Sequence, residues 1–169
     1  MKSHVLLIMR HAKSDWSDHA AADFNRTLID RGKRDAKKMG AWLKKKKIIP
    51  DLIVSSPAAR AERTALIVSK ETGFDPVAIV RDKRIYDAAL DDLLKVIDTH
   101  AQETRCLLLI GHNPGLEELL GYLSSDQPEA NRAGKVMTTA AIAMLDYGRK
   151  PITAGRGAAR LVCLTRPRD

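Results

Sequence analysis

Three short stretches carry side chains that could do chemistry together. An apolar run at residues 5–9 ends in Arg10-His11. A second run, 52–55, leads into Ser55-Ser-Pro-Ala-Ala-Arg60, and a third, 107–110, into Gly111-His-Asn-Pro-Gly115. Two histidines and two arginines thus follow apolar segments of strand length. Arginine grips phosphate oxygens with two parallel N–H groups and stays charged at every relevant pH. A neutral imidazole can attack phosphorus and carry the phosphoryl group transiently. A second, protonated imidazole can hold the oxygens as charge builds. Together these residues point to phosphoryl transfer through an imidazole, with Arg10, Arg60 and His112 supplying positive charge. They supply enough positive charge to make a metal or other cofactor unnecessary.

For this chemistry the runs must be neighbouring strands that end on one edge. Continuous apolar runs suit strands covered on both faces, as in a parallel sheet. Further strands are expected at 140–145, 159–164 and, as a short one, 77–80. Helical patterns fall between them, at 30–46, 58–72, 91–99 and 115–123, and Gly73 is placed to end the second. The alternation predicts an α/β fold, a three-layer α/β/α sandwich around a mostly parallel sheet. In such sheets ligands bind beyond the carboxyl ends of the strands. Residues 124–135 read as a polar loop and 147–157 as a hairpin connection.

The chain has 169 residues, 44% of them hydrophobic and 30% charged, which fits a single domain spanning 1–169. Lys and Arg number 29 against 21 Asp and Glu, a net charge of +8 that favours anionic partners. Nucleic acid is not expected, because two Phe, two Trp and three Tyr offer few stacking platforms. The Lys44–47 run reads as a solvated helix end, where cations suit the dipole. Cys106 and Cys163 lie far apart without metal-ligand spacing and read as buried free thiols in a reducing compartment. No apolar run is long enough for a signal sequence or a membrane span. A cytoplasmic location and no membrane partner are expected. The sequence leaves oligomeric state open, with a monomer favoured.

Leu6-Leu-Ile-Met-Arg-His-Ala-Lys-Ser14 resembles the nucleophile motif of the histidine phosphatase superfamily, which includes the phosphoglycerate mutases. Ala12 stands where that family usually has Gly. Three further blocks are similar to its SixA-like branch, the phosphohistidine phosphatases: Arg26-Thr-Leu-Ile-Asp-Arg-Gly32, Ser55 to Ala65, and Gly111 to Gly115. The resemblance implies a phosphoglycerate mutase-like fold and a phosphorylated His11. It makes Arg10 and Arg60 phosphate clamps and His112 the second pocket histidine. Ser17 and Asn25 fall where some relatives place another phosphate contact, and Thr139 is a weaker candidate.

Expelling an alkoxide usually requires a general acid. In the mutase-like relatives that acid is a Glu, and Lys83 aligns with it here. Asp82 and Asp87 are the nearby carboxyls, and Asp87 follows Tyr86 as in the SixA-like branch. An ordinary Asp is ionised at neutral pH and needs a raised pKa to donate. A phosphoramidate loses its nitrogen without a strong protein acid. The expected partner is therefore a phosphorylated protein carrying phosphohistidine, with a small phosphorylated metabolite as the alternative substrate. A non-catalytic phosphate-binding module is a third reading.

Overall fold

In the computed structural model, which describes residues 2–168, the apolar runs are strands of one six-stranded sheet. In chain order these are β1 (Val5–Arg10), β2 (Leu52–Ser55), β3 (Val80–Arg81), β4 (Cys106–Gly111), β5 (Ile142–Asp146) and β6 (Arg160–Thr165). The helices are α1 (Asp30–Lys45), α2 (Ala59–Thr72), α3 (Leu90–His100) and α4 (Gly115–Leu123). The sheet order is β3-β2-β4-β1-β5-β6. The first four of these strands pair in parallel, and β5 is antiparallel to both β1 and β6.

Side chains alternate across a strand, so each apolar run serves two cores. Leu7, Met9, Ile53, Leu108 and Ile110 face Ala36, Met39 and Leu43 of α1 and Ala61, Ala65 and Val68 of α2. Leu6, Ile8, Val54, Leu107 and Leu109 face Leu93, Val96 and Ile97 of α3 and Leu116, Leu119, Leu120 and Leu123 of α4. This double burial is why the runs are continuous rather than alternating, and it gives the three-layer α/β/α sandwich.

Register positions the chemistry. Arg10 pairs with Gly111, and Ser55 with Ile110. Strands β1, β2 and β4 therefore end at one level, and the segments beyond them leave the same edge of the sheet. The His11 N–H bonds the Gly111 carbonyl at 3.0 Å, and the Ser56 N–H bonds that of Ile110 at 3.0 Å. Two glycines allow tight approaches nearby. A Cβ on Gly115 would lie 2.8 Å from the Ala88 carbonyl oxygen, and one on Gly32 would collide with the Lys13 backbone.

Several boundaries differ from expectation. The segment read as a strand over 77–80 begins as a 3₁₀ turn, Pro76–Ala78, because the Asp75 carboxylate accepts the Val77 N–H at 3.0 Å. The last two strands start later than expected. Ala140 is left-handed (φ 63°) and gives its N–H to the carbonyls of Arg10 and His11, so pairing begins only at Ile142. Ala159 instead makes a bridge to Ser124. Gly73 ends α2 in the left-handed conformation, as its position predicts. Cys106 and Cys163 are free and half-buried rather than buried. Among the described residues no helix is long and apolar enough to cross a membrane.

Candidate active site

His11, Arg10, Arg60 and His112 line one cavity of about 490 Å³ at the carboxyl edge of the sheet. The rings of His11 and His112 lie 5.1 Å apart between centroids. His11 is buried at 7% exposure, and its Nδ1 lies 2.7 Å from the Ala12 carbonyl oxygen. A carbonyl only accepts, so the proton sits on Nδ1 and the lone pair on Nε2. Arg60 Nε–H donates to that lone pair at 3.3 Å. Burial first, then the neighbouring His112 and the charges of Arg60 and Arg10, push the His11 pKa down to about 3. His11 is therefore neutral at pH 7 with its tautomer fixed for attack through Nε2.

Arg60 is buried, and Asp23 anchors the rest of its guanidinium. Nη1 donates to the Asp23 carbonyl at 2.7 Å, and Nη2 to its carboxylate at 3.1 Å. The Tyr86 hydroxyl donates to the same carboxylate at 2.7 Å. That hydrogen bond, with the pairing to Arg60, holds the Asp23 carboxyl below its ordinary range. Arg10 Nη1 donates to the Met137 carbonyl at 3.0 Å, and Asn113 Nδ2 donates to the same oxygen at 3.0 Å. Glu117 closes this set by accepting from Asn113 Nδ2 and the Met137 N–H. The Arg10 Nε is buried without a partner among the described residues, a donor available to an anion.

His112 differs from expectation. Its Nε2 lies 2.7 Å from the Ser56 hydroxyl, which also accepts the Ala58 N–H at 3.2 Å. Burial, then the Arg60 charge, push its pKa down to about 4. The imidazole expected to be protonated is held neutral at pH 7 by burial and by the two guanidinium groups beside it. A phosphate dianion would offset those charges and favour protonation.

The other candidates separate. Asp87 and Thr139 line the cavity, Asp87 exposed at its rim with φ 51°. Ser17 does not line it: its hydroxyl donates to Asp15 at 2.6 Å in a local turn. Asn25 lines a different cleft, with Phe24, Pro57 and Leu66. Asp82 is bound to Arg84 at 2.6 Å and His100 at 2.8 Å, which hold its carboxyl well below the ordinary range. It is ionised and turned away, and cannot act as an acid here.

Sequence reasoning missed Asp23, Tyr86, Ser56, Lys13, Trp16 and Asn113. Ser56, Lys13 and Asn113 lie inside the quoted motifs and were within reach. Asp23 and Trp16 sit in a loop without periodicity. Arg26 organises that loop, with its guanidinium stacked 4.2 Å from the Trp16 ring centre and bonded to the Asp18 carbonyl at 3.1 Å. This gives the Arg26…Gly32 block a physical sense: Arg26 pins the loop, and Gly32 lets α1 close on the Lys13 backbone. Ala12 raises no conflict with the usual Gly. It is not among the residues with positive φ, and its N–H bonds the Thr64 hydroxyl at 3.0 Å.

A strand-edge pocket with one neutral and oriented imidazole, a second beside it and two clamped guanidiniums defines a phosphoryl-handling site on an α/β/α sandwich. Residues 6–94 match the model of the histidine phosphatase superfamily (branch 1), and the chain belongs to that family. It is a phosphatase whose fold is SixA-like. An uncharacterized protein of Mycobacterium tuberculosis is 33% identical over 164 residues, covering 95% of this chain and all of that one. A structure from Agrobacterium tumefaciens, assigned as the phosphohistidine phosphatase SixA, is 25% identical. It superposes with a TM-score of 0.77 over 98% of this chain and 99% of that one. The protein histidine phosphatase SixA complexed with tungstate shares the fold, with a TM-score of 0.78 at 23% identity over 96% and 97% of the two chains.

Proposed function

We propose that this phosphatase removes phosphoryl groups from phosphohistidine on proteins, through a phosphorylated His11. The observation that carries the reading is the state of the carboxyls around His11. Asp23 is ionised by Tyr86 and Arg60, Asp82 is tied up elsewhere, and Asp87 stands exposed at the rim. A site so poor in buried acids suits a leaving nitrogen better than a leaving alkoxide. The SixA likeness and an open, loop-walled cavity that a protein side chain can enter agree with this.

In the first step His11 Nε2 forms a bond to phosphorus as the P–N bond to the substrate imidazole breaks. The departing nitrogen keeps the bonding pair and takes a proton from solvent. Arg10, Arg60 and His112 hold the three oxygens, and no metal is called on. Arg60 Nε must exchange its bond to His11 for one to phosphate. Water then attacks phospho-His11, releasing inorganic phosphate and the neutral imidazole.

A small-molecule phosphomonoesterase is the second reading, favoured by the place of Asp87 on the cavity wall. A substrate panel decides between them: a phosphohistidine protein, phosphoaspartate, sugar phosphates and nucleotides, each with and without chelator. The phosphohistidine protein should show the highest kcat/KM, unchanged by chelator and within about threefold in Asp87→Asn. Faster turnover of a sugar phosphate, lost in Asp87→Asn, would select the second reading.

A further inference from the structure

A second cleft, of about 320 Å³, adjoins the phosphate cavity and shares Arg10, Lys13 and Thr139 with it. Its other charged walls are Arg31, Lys135, Arg168 and Asp35. Five cations thus meet one carboxylate. Arg168 largely cancels that carboxylate, with Nε and Nη2 at 3.2 and 3.1 Å from Asp35. The ammonium groups of Lys13 and Lys135 have no partner among the described residues.

Lys135 is not on a loose loop. The Asn131 side chain accepts the N–H groups of Ala133 and Lys135 at 3.0 and 2.9 Å. The Asn131 N–H bonds the Lys135 carbonyl at 2.8 Å, and Gly134 supplies the left-handed turn (φ 76°). A tied turn presents its cation with less entropy to lose on binding. Transfer of a single phosphoryl group does not require Arg31, Lys135 or Arg168, because Arg10 and Arg60 already face it. A basic wall beside the reacting centre attracts a second negative charge on the same substrate.

We infer that this cleft is a subsite for an acidic side chain flanking the phosphohistidine of a protein substrate. The inference rests on the phosphohistidine reading. Because cleft and cavity share a wall, the acidic residue lies within a few residues of the phosphohistidine, at about 3.3 Å per extended residue.

The test uses peptides carrying a non-hydrolysable phosphoryltriazole analogue of phosphohistidine, flanked by Glu or by Gln. Phosphonoacetate and methylphosphonate serve as small probes with and without a second anion. At low salt the Glu peptide should bind about fivefold tighter than the Gln peptide, the scale of exposed charge pairs. Lys135→Gln should erase that advantage while turning over para-nitrophenyl phosphate at the wild-type rate. Equal binding of the two peptides, or an advantage that survives Lys135→Gln, would overturn the subsite alone. An advantage confined to phosphonoacetate would assign the cleft to a small metabolite and overturn the peptide form. If neither peptide binds while inorganic phosphate does, the phosphohistidine reading falls and the subsite with it.

Discussion

Arg60 Nε–H is hydrogen-bonded to the Nε2 of His11 at 3.3 Å, so the nucleophilic lone pair is capped by the guanidinium that clamps phosphate. Asp23 keeps the guanidinium there by engaging its other nitrogens. An incoming phosphate must draw Nε–H away from His11, which frees the lone pair only when an anion is present. Lysine cannot reproduce this, since it offers a point charge in place of a planar fork. Arg60→Lys should lower kcat/KM about a hundredfold, corresponding to about 2.7 kcal/mol of transition-state stabilisation. Steady-state kinetics on any accepted phosphoryl substrate checks it, and retention of more than a third of the wild-type value would contradict it.

The histidines set an acid-side dependence of stability. Both have native pKa values, about 3 for His11 and about 4 for His112, below the ordinary 6.5. The unfolded chain therefore binds more protons, and stability rises with pH through this window and is lost as pH falls below 6.5. The slope approaches 1.4 kcal/mol per pH unit for each histidine. Chemical denaturation from pH 7 to pH 4 should show this fall, and His11→Gln should flatten it. A slope unchanged by the substitution would show that His11 is not desolvated as described.

Ala12→Gly should leave kcat/KM within about twofold. Position 12 does not use positive φ, so glycine adds unfolded-state freedom and removes a buried methyl, together costing about 1–2 kcal/mol of stability. A large gain in activity would mean that the Ala12 methyl obstructs the phosphate, and thermal unfolding with kinetics on one preparation separates the two effects.

Asp82→Asn should destabilise without slowing catalysis. The carboxylate is ion-paired with Arg84 and bonded to His100, and its lowered pKa gives stability that is present above pH 4 and lost on acidification. A Tm drop of a few degrees with unchanged kcat is expected. A tenfold loss of kcat at constant fold would return Asp82 to the reaction.

The legible part of this molecule follows from its register. Residues 5–9 and 107–110 read as buried strands because both faces are covered, and Arg10 and Gly111 then fall side by side. Arg10, His11, Arg60 and His112 could be placed together for that reason. Asp23 could not, because it reaches Arg60 from a loop shaped by Arg26 and Trp16, contacts that local pattern does not encode. Ser17 offered the right hydroxyl in the right region, yet Asp15 takes it. Ser56 sat unremarked in a quoted motif, although it is the group that orients His112. The charge of His112 depends on burial beside Arg60, which spacing alone does not reveal. Ala140 turned the start of β5 by a left-handed kink that no propensity favours.

Phosphoryl transfer to His11 is tested most directly by rapid acid-free quenching with a phosphorus-labelled substrate, followed by peptide mapping of the trapped enzyme. The label should sit on Nε2 of His11 alone. It should survive alkali but not acid and vanish in His11→Ala, with turnover down at least about a thousandfold, or about 4 kcal/mol, and the thermal transition retained. Label on any other residue, or wild-type turnover in His11→Ala, would contradict the account.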